Sequence, residues 1–234
     1  MDAYDLGIKQ RPCPAAAVNT TDLFFSVAYQ RDNPASGSTA VRCGEYFNTN
    51  YDSAAYPFSI TRQITYPTIF GEYGYYIQNC RFPASALRTD LPSMVSGKIQ
   101  ISSWMLAAHN TVFGFIYSAS ETIALVLVKQ SANTYKFQFR GTAPYAFSSF
   151  SGNVSLSDST WVYVTAIIDS ATYNITATIY VNSNFIATLN AGYYSSFYFI
   201  QGLQLSNSYH RDFIMRKWTT GDTVFTPTRL LTLS

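Results

Sequence analysis

From about residue 70 to the C-terminus, apolar and polar side chains alternate with a period of two, whereas helical spacing is hard to find. Ile99, Ile101, Ser103 and Met105 fall on one side of an extended segment, with Gln100, Ser102, Trp104 and Leu106 on the other. A second strand is expected from Val112 to Tyr117. Ile123 to Val128 is apolar on both sides, which predicts a central strand covered on two faces. After a turn at Ser131-Ala132-Asn133, Tyr135, Phe137 and Phe139 alternate with Lys136, Gln138 and Arg140, the pattern of a half-buried antiparallel strand. A softer loop with Gly141, Pro144 and Gly152 leads to a hairpin. Its arms run from Trp161 to Ile168 and from Tyr173 to Val181, with Asp169 to Thr172 as the turn. In the returning arm Ile175, Ala177, Ile179 and Val181 alternate with Thr176, Thr178 and Tyr180, so burying one side fixes the register. Asn182-Ser183-Asn184 turns again into Phe185 to Leu189, and closing strands are expected around Phe197 to Leu205 and Asp212 to Trp218.

Residues 1 to 65 behave differently. They hold Pro12, Pro14, Pro34 and Pro57 and one convincing strand, Leu23 to Tyr29, around a weakly hydrophobic stretch from Arg31 to Ser53. This portion reads as an extended N-terminal arm with one or two strands, which needs its own sandwich or a neighbouring copy to lie on. Residues 66 to 234 read as a single all-β domain, an antiparallel sandwich of two sheets with a short polar tail.

Three segments carry a resemblance to a known fold family. They are Gly71-Glu72-Tyr73-Gly74-Tyr75-Tyr76-Ile77, then Lys98-Ile99-Gln100-Ile101-Ser102-Ser103-Trp104-Met105, and Thr160 to Asp169 followed by Ile179-Tyr180-Val181-Asn182. Together they resemble the concanavalin A-like, laminin-G-like jelly rolls over the stretch from about Phe70 to Trp218. In that family the last hairpin arm ends Leu-Tyr-Val-Asn-Gly; here Ser183 stands in place of the glycine. The resemblance implies a jelly-roll sandwich and no particular ligand, since the same fold serves lectins, glycanases, adhesion modules and virion proteins. The glycanase branch's Glu-x-Asp-x-x-Glu strand has no counterpart, because Glu45, Glu72 and Glu121 each lack a carboxylate at that spacing. The clustered Asp and Asn loops of the calcium-binding members are also missing from the sequence.

Composition narrows the functional classes. Charged residues make up 12% of the chain, against roughly 25% in an ordinary soluble domain, while 19 Tyr and 17 Phe bring aromatics to 17%. Permanent interfaces are depleted in Lys and Glu and enriched in aromatics, so the balance suits a subunit of an assembly. Tyrosines also stack on sugar rings at low entropic cost, and both uses stay open. A formal net charge of +2 gives no basic field for nucleic acid. The densest basic stretch, Arg211, Arg216 and Lys217, is broken by Asp212, Phe213, Ile214 and Met215 and reads as a solvated strand face. No apolar run reaches the roughly 20 residues of a membrane span, and the N-terminus, with Asp2, Asp5, Lys9 and Arg11, does not read as a signal peptide. Cys13, Cys43 and Cys80 are too widely spaced for a disulfide framework or a zinc site.

Candidate chemistry is sparse. Glu121 with Asp90, or Glu72 with Asp169, would have to be brought together by the fold to hydrolyse a glycosidic bond, and solvated turn carboxylates are the better reading. His109 and His210 form no recognisable zinc or nucleophile constellation and read as structural or surface residues. No cofactor and no catalytic residue is expected. Two aromatic clusters remain as candidates for a glycan platform: Tyr193, Tyr194, Phe197 and Tyr198 after Gly192, and Tyr145 with Phe147 and Phe150. Packing in the core or between subunits is the alternative for both.

The leading expectation is a non-enzymatic structural protein of a virus particle: a capsid, decoration, tail or fibre subunit, most naturally of a bacteriophage. It would be made in the host cytoplasm and carried in the virion. Its partners would be copies of itself or other virion proteins, with no direct nucleic-acid contact and no membrane insertion. The competing expectation is a lectin-like module for host glycans, using Tyr193, Tyr194, Tyr198 and Tyr145. A glycan-cleaving enzyme stands third.

Overall fold

A computed structural model describes the backbone of residues 23–27, 59–63, 74–78, 80–83, 98–107, 111–116, 122–141, 147–169, 174–193, 202–206 and 208–218. Side chains are described for residues 98–107, 123–141, 148–169 and 175–190, and for Tyr209, His210 and Trp218. Among these residues every regular element is a strand: β1 (Leu23–Val27), β2 (Ser59–Gln63), β3 (Gly74–Gln78), β4 (Cys80–Pro83), β5 (Lys98–Leu106), β6 (Thr111–Ile116), β7 (Thr122–Ser131), β8 (Thr134–Gly141), β9 (Phe147–Phe150), β10 (Val154–Ser155), β11 (Trp161–Asp169), β12 (Asn174–Val181), β13 (Asn184–Tyr193), β14 (Gly202–Ser206) and β15 (Ser208–Trp218). No helix among them is long and apolar enough to cross a membrane.

The strands form two antiparallel sheets. The first runs β13-β12-β11-β5-β15-β3-β2, with β1 also paired to β15; the second runs β10-β8-β7-β6-β14-β4, with β9 also on β8. The chain changes sheet between β3 and β4, β4 and β5, β5 and β6, β10 and β11, β13 and β14, and β14 and β15. That wrapping makes a jelly-roll sandwich and sets β5 beside β15, with Ile101 opposite Met215. Both described strands from the first 65 residues are built into the first sheet, β1 on β15 and β2 on β3.

The inward faces follow from β12, whose Ala177, Ile179 and Val181 are buried while Thr176, Thr178 and Tyr180 are only partly covered. Cross-strand pairing carries that parity onto Val164, Ala166 and Ile168 of β11 and then onto Ile99, Ile101 and Ser103 of β5. From the second sheet Leu125 and Leu127 pair with Phe139 and Phe137, and all four are buried. β7 is covered on both sides from Ile123 to Leu127, as its unbroken apolar run predicts.

Trp104 and Trp161 sit half-buried on the outward face of the first sheet, where Trp104 packs edge-on against Tyr163 with ring centroids 5.3 Å apart. That outward face is closed over β5 and β11. Gln100, Ser102 and Thr165 are all at most 1% exposed and satisfy one another: Gln100 Nε2 donates to Ser102 Oγ at 2.8 Å, and Ser102 Oγ bonds Thr165 Oγ1 at 2.9 Å.

A polar clasp ties the hairpin of β7 and β8 to the loop before β11. Asn133, in the left-handed region with φ 55°, accepts from the Asp158 amide at 2.8 Å and donates its own amide to Asp158 Oδ1 at 3.2 Å. Tyr135 Oη donates to Asp158 Oδ1 at 2.5 Å and also lies against the carbonyl of Ala107 at the end of β5, the two acceptors sharing its single proton. One side chain of the second sheet thus reaches the first.

Candidate functional site

The described outward surface opens where β11 gives way to β12 and β13. Moving along the first sheet, Thr165 is buried, Tyr180 opposite it is half-buried, and Phe185 opposite Tyr180 is 61% exposed. The local sequence explains the geometry. Asn182 and Ser183 both take positive φ, 48° and 69°, as a two-residue type I′ hairpin turn requires. Asn182 anchors the turn to β11: its amide donates to the Tyr163 carbonyl at 2.8 Å, and its Oδ1 accepts from the Tyr163 amide at 3.0 Å.

Just past the turn the register shifts. Ile179 pairs with Ala187, but Tyr180 pairs with Phe185, leaving Ile186 as the extra residue of a bulge. The two-residue turn, closing on Val181 and Asn184, already sets Phe185 opposite Tyr180 on the outward face. In an unbroken ladder Thr188 would then face inward-pointing Ala177, and the bulge brings Thr188 and Asn190 onto the same outward face as Phe185. There its ring stands edge-to-face with Tyr180, centroids 5.9 Å apart and planes at 72°. Two further pairs continue the same face, Thr178 with Thr188 and Thr176 with Asn190. The two threonine hydroxyls lie 3.2 Å apart, and Thr188 and Asn190 are exposed. The result is an aromatic corner beside a short ladder of hydroxyl and amide groups.

Phe150, of the other candidate cluster, is 51% exposed on the outward face of the second sheet, opposite Gln138. Gln138 Nε2 donates to Ser148 Oγ at 2.8 Å beside it. Tyr193 ends β13 opposite Asn174, with a bulge between that pair and the pair of Thr176 and Asn190. Its side chain, together with Tyr194, Tyr198, Phe197 and Tyr145, lies outside the described residues. Sequence reading passed over Tyr180 and Phe185. The alternation of Thr176, Thr178 and Tyr180 marks a solvent-facing side, and the turn at Asn182 and Ser183 sets Phe185 opposite Tyr180 on it, but nothing in the letters announces the bulge that brings Thr188 and Asn190 onto the same face.

The remaining candidates divide plainly. His210 is 2% exposed, and its Nδ1 lies 2.9 Å from Ser103 Oγ in a hydrogen bond. That distance would suit nucleophile activation, but both residues sit inside the sandwich, where no substrate reaches them. Asp169 pairs with Lys98 at 3.0 Å across β11 and β5. Glu72, Glu121, Asp90 and His109 lie outside the described residues. Among the described residues no three His, Cys, Asp or Glu side chains gather as metal ligands. Asp158 has its pKa held below the usual carboxylate value, first by the Lys129 ammonium at 2.6 Å and then by Tyr135. Burial, reinforced by Asp158, pushes the Tyr135 phenol well above its ordinary range.

No protein-family model matches the chain, and no curated protein matches it in sequence. The concanavalin A-like label therefore rests on the sequence segments that suggested it. Solved structures of similar shape include three sugar- or phage-related domains. One is the CBM40 module of the Ruminococcus gnavus IT-sialidase bound to α2,6-sialyllactose, 12% identical, covering 65% of this chain and 92% of that one, with a TM-score of 0.39. Another is the CBM2 module of the evolved Dit of Lactobacillus casei BL23 phage J-1, 11% identical, covering 87% and 98%, with a TM-score of 0.42. The third is the Caenorhabditis elegans galectin LEC-6, 10% identical, covering 53% and 85%, with a TM-score of 0.36. At these values the likeness carries no argument about what this chain binds.

Proposed function

We propose that the chain is a glycan-binding β-sandwich module whose binding face lies on the outward side of β12 and β13. One observation carries this reading: Phe185 stands exposed on the outward face against Tyr180, and the bulge at Ile186 brings Thr188 and Asn190 onto that face beside it, with Thr178. An aromatic ring with adjacent hydroxyl and amide groups is what a sugar needs, because its C–H face is apolar and its rim is a ring of hydrogen-bonding groups. Tyr193 and Tyr194, candidates named from the sequence, are tested alongside Tyr180 and Phe185. A glycan array probed with the wild type and with the Tyr180→Ala, Phe185→Ala, Tyr193→Ala and Tyr194→Ala variants tests the proposal. Signal for a defined glycan set, lost in the first two variants, is expected; binding that none of the four substitutions weakens contradicts it.

A second reading places the module in a virus particle as a structural subunit. The observation favouring it is the 12% charge content, low for a surface in water on all sides. Light scattering on the purified chain should then give a mass above 26.1 kDa; a monomer at every concentration argues against it.

A further inference from the structure

Resting on the glycan-binding reading, we infer that the face takes a soluble oligosaccharide chain end-on at a corner, and does not bind the flat surface of a crystalline polysaccharide. The angle between the two rings decides this. Flat polysaccharide crystals offer a plane of sugar rings, and a protein grips such a plane with aromatic rings that are themselves coplanar. Tyr180 and Phe185 stand at 72° to one another, so a plane laid on one ring is held off by the edge of the other. A single sugar fits instead, with its C–H face on one ring and its side against the second.

The polar groups run in the matching direction. From the corner, the pairs of Thr178 with Thr188 and Thr176 with Asn190 follow one another along the strands, each about 7 Å beyond the last at the antiparallel rise of two residues per step. They lie on one line from the corner. An oligosaccharide whose terminal ring fills the corner has its next units over these hydroxyls and the amide. A broad crystal face would need such contacts spread across several strands, and over β11 and β5 the same sheet face is closed, with Thr165 and Ser102 each 1% exposed.

The test sets two kinds of probe against each other. The soluble probes are cellotriose, xylotriose, mannotriose and galactotriose together with an array of soluble oligosaccharides; the solid probes are microcrystalline cellulose and α-chitin, read by co-sedimentation of the full chain. The expected result is binding to at least one soluble oligosaccharide, weakened about tenfold or more by Phe185→Ala, Phe185→Leu and Tyr180→Ala, with the chain left in the supernatant of both solids. Phe185→Leu keeps an apolar side chain and removes the ring, so its loss of binding separates stacking from folding. Co-sedimentation with either solid that Phe185→Ala abolishes would overturn the corner inference and leave the glycan reading standing. Binding to no probe of either kind would overturn both.

Discussion

Ser183 occupies a conformation that L-residues adopt reluctantly. Its φ of 69° follows Asn182 at 48° in the turn between β12 and β13, and the left-handed region costs a residue with a Cβ on the order of 1 kcal/mol relative to glycine. The resembling family carries glycine at this point, so the sequence flagged the position and the backbone supplies the reason. Ser183→Gly is expected to stabilise the fold by roughly 0.5–1 kcal/mol, which a thermal melt would register as a rise of a few degrees. Asn133, at φ 55°, is different because its side chain is engaged as well; Asn133→Ala should cost about 1–2 kcal/mol in a urea titration. Asp158 links stability to pH. Its folded pKa lies below the ordinary 3.8, with Lys129 as the first cause, so its stabilisation is complete above that value and is lost as pH falls through the folded pKa. Tyr135 works in the opposite sense: its raised pKa favours the folded state below the ordinary value of 10.0, and this is lost on going more alkaline. Urea midpoints measured down to about pH 2 should fall more gently for Asp158→Asn than for the wild type.

At the scale of elements, the strands whose burial is one-sided or complete were legible. Tyr135, Phe137 and Phe139 are buried while Lys136 and Gln138 are partly exposed and Arg140 is exposed, as their alternation predicts. The apolar run of β7 and the inward side of β12 follow the same logic. Less legible was the outward side of β5 and β11, where Gln100, Ser102 and Thr165 look like solvent-facing residues and are buried. Alternation reports polarity, and a chain of mutually bonded polar groups satisfies itself without water. Thr165→Val, which keeps the shape and removes one hydroxyl, should therefore destabilise by about 1–2 kcal/mol, measured by urea unfolding; no change would mean that the pair of hydroxyls contributes nothing. The candidate site was the least legible feature, because a bulge is a two-strand property and a single strand's sequence does not record its partner's register. Exposed Phe185 has little folding to lose, so Phe185→Ala should leave stability within about 0.5 kcal/mol while removing glycan binding.

For the whole molecule, the sandwich closes by bringing the two ends of the sequence together: β1 pairs with β15, and β2 joins through β3. Trimming residues 1–65 would strip two strands from the first sheet, and a lower melting temperature is expected for the trimmed chain. The central claim is that one face, on β12 and β13, receives a glycan. Once an array has supplied a ligand, titrating it into isotope-labelled protein and following the amide resonances locates the contact directly. Shifts concentrated at residues 176–180 and 185–190 are expected. Shifts concentrated on the opposite sheet, around Gln138, Ser148 and Phe150, would contradict the assignment.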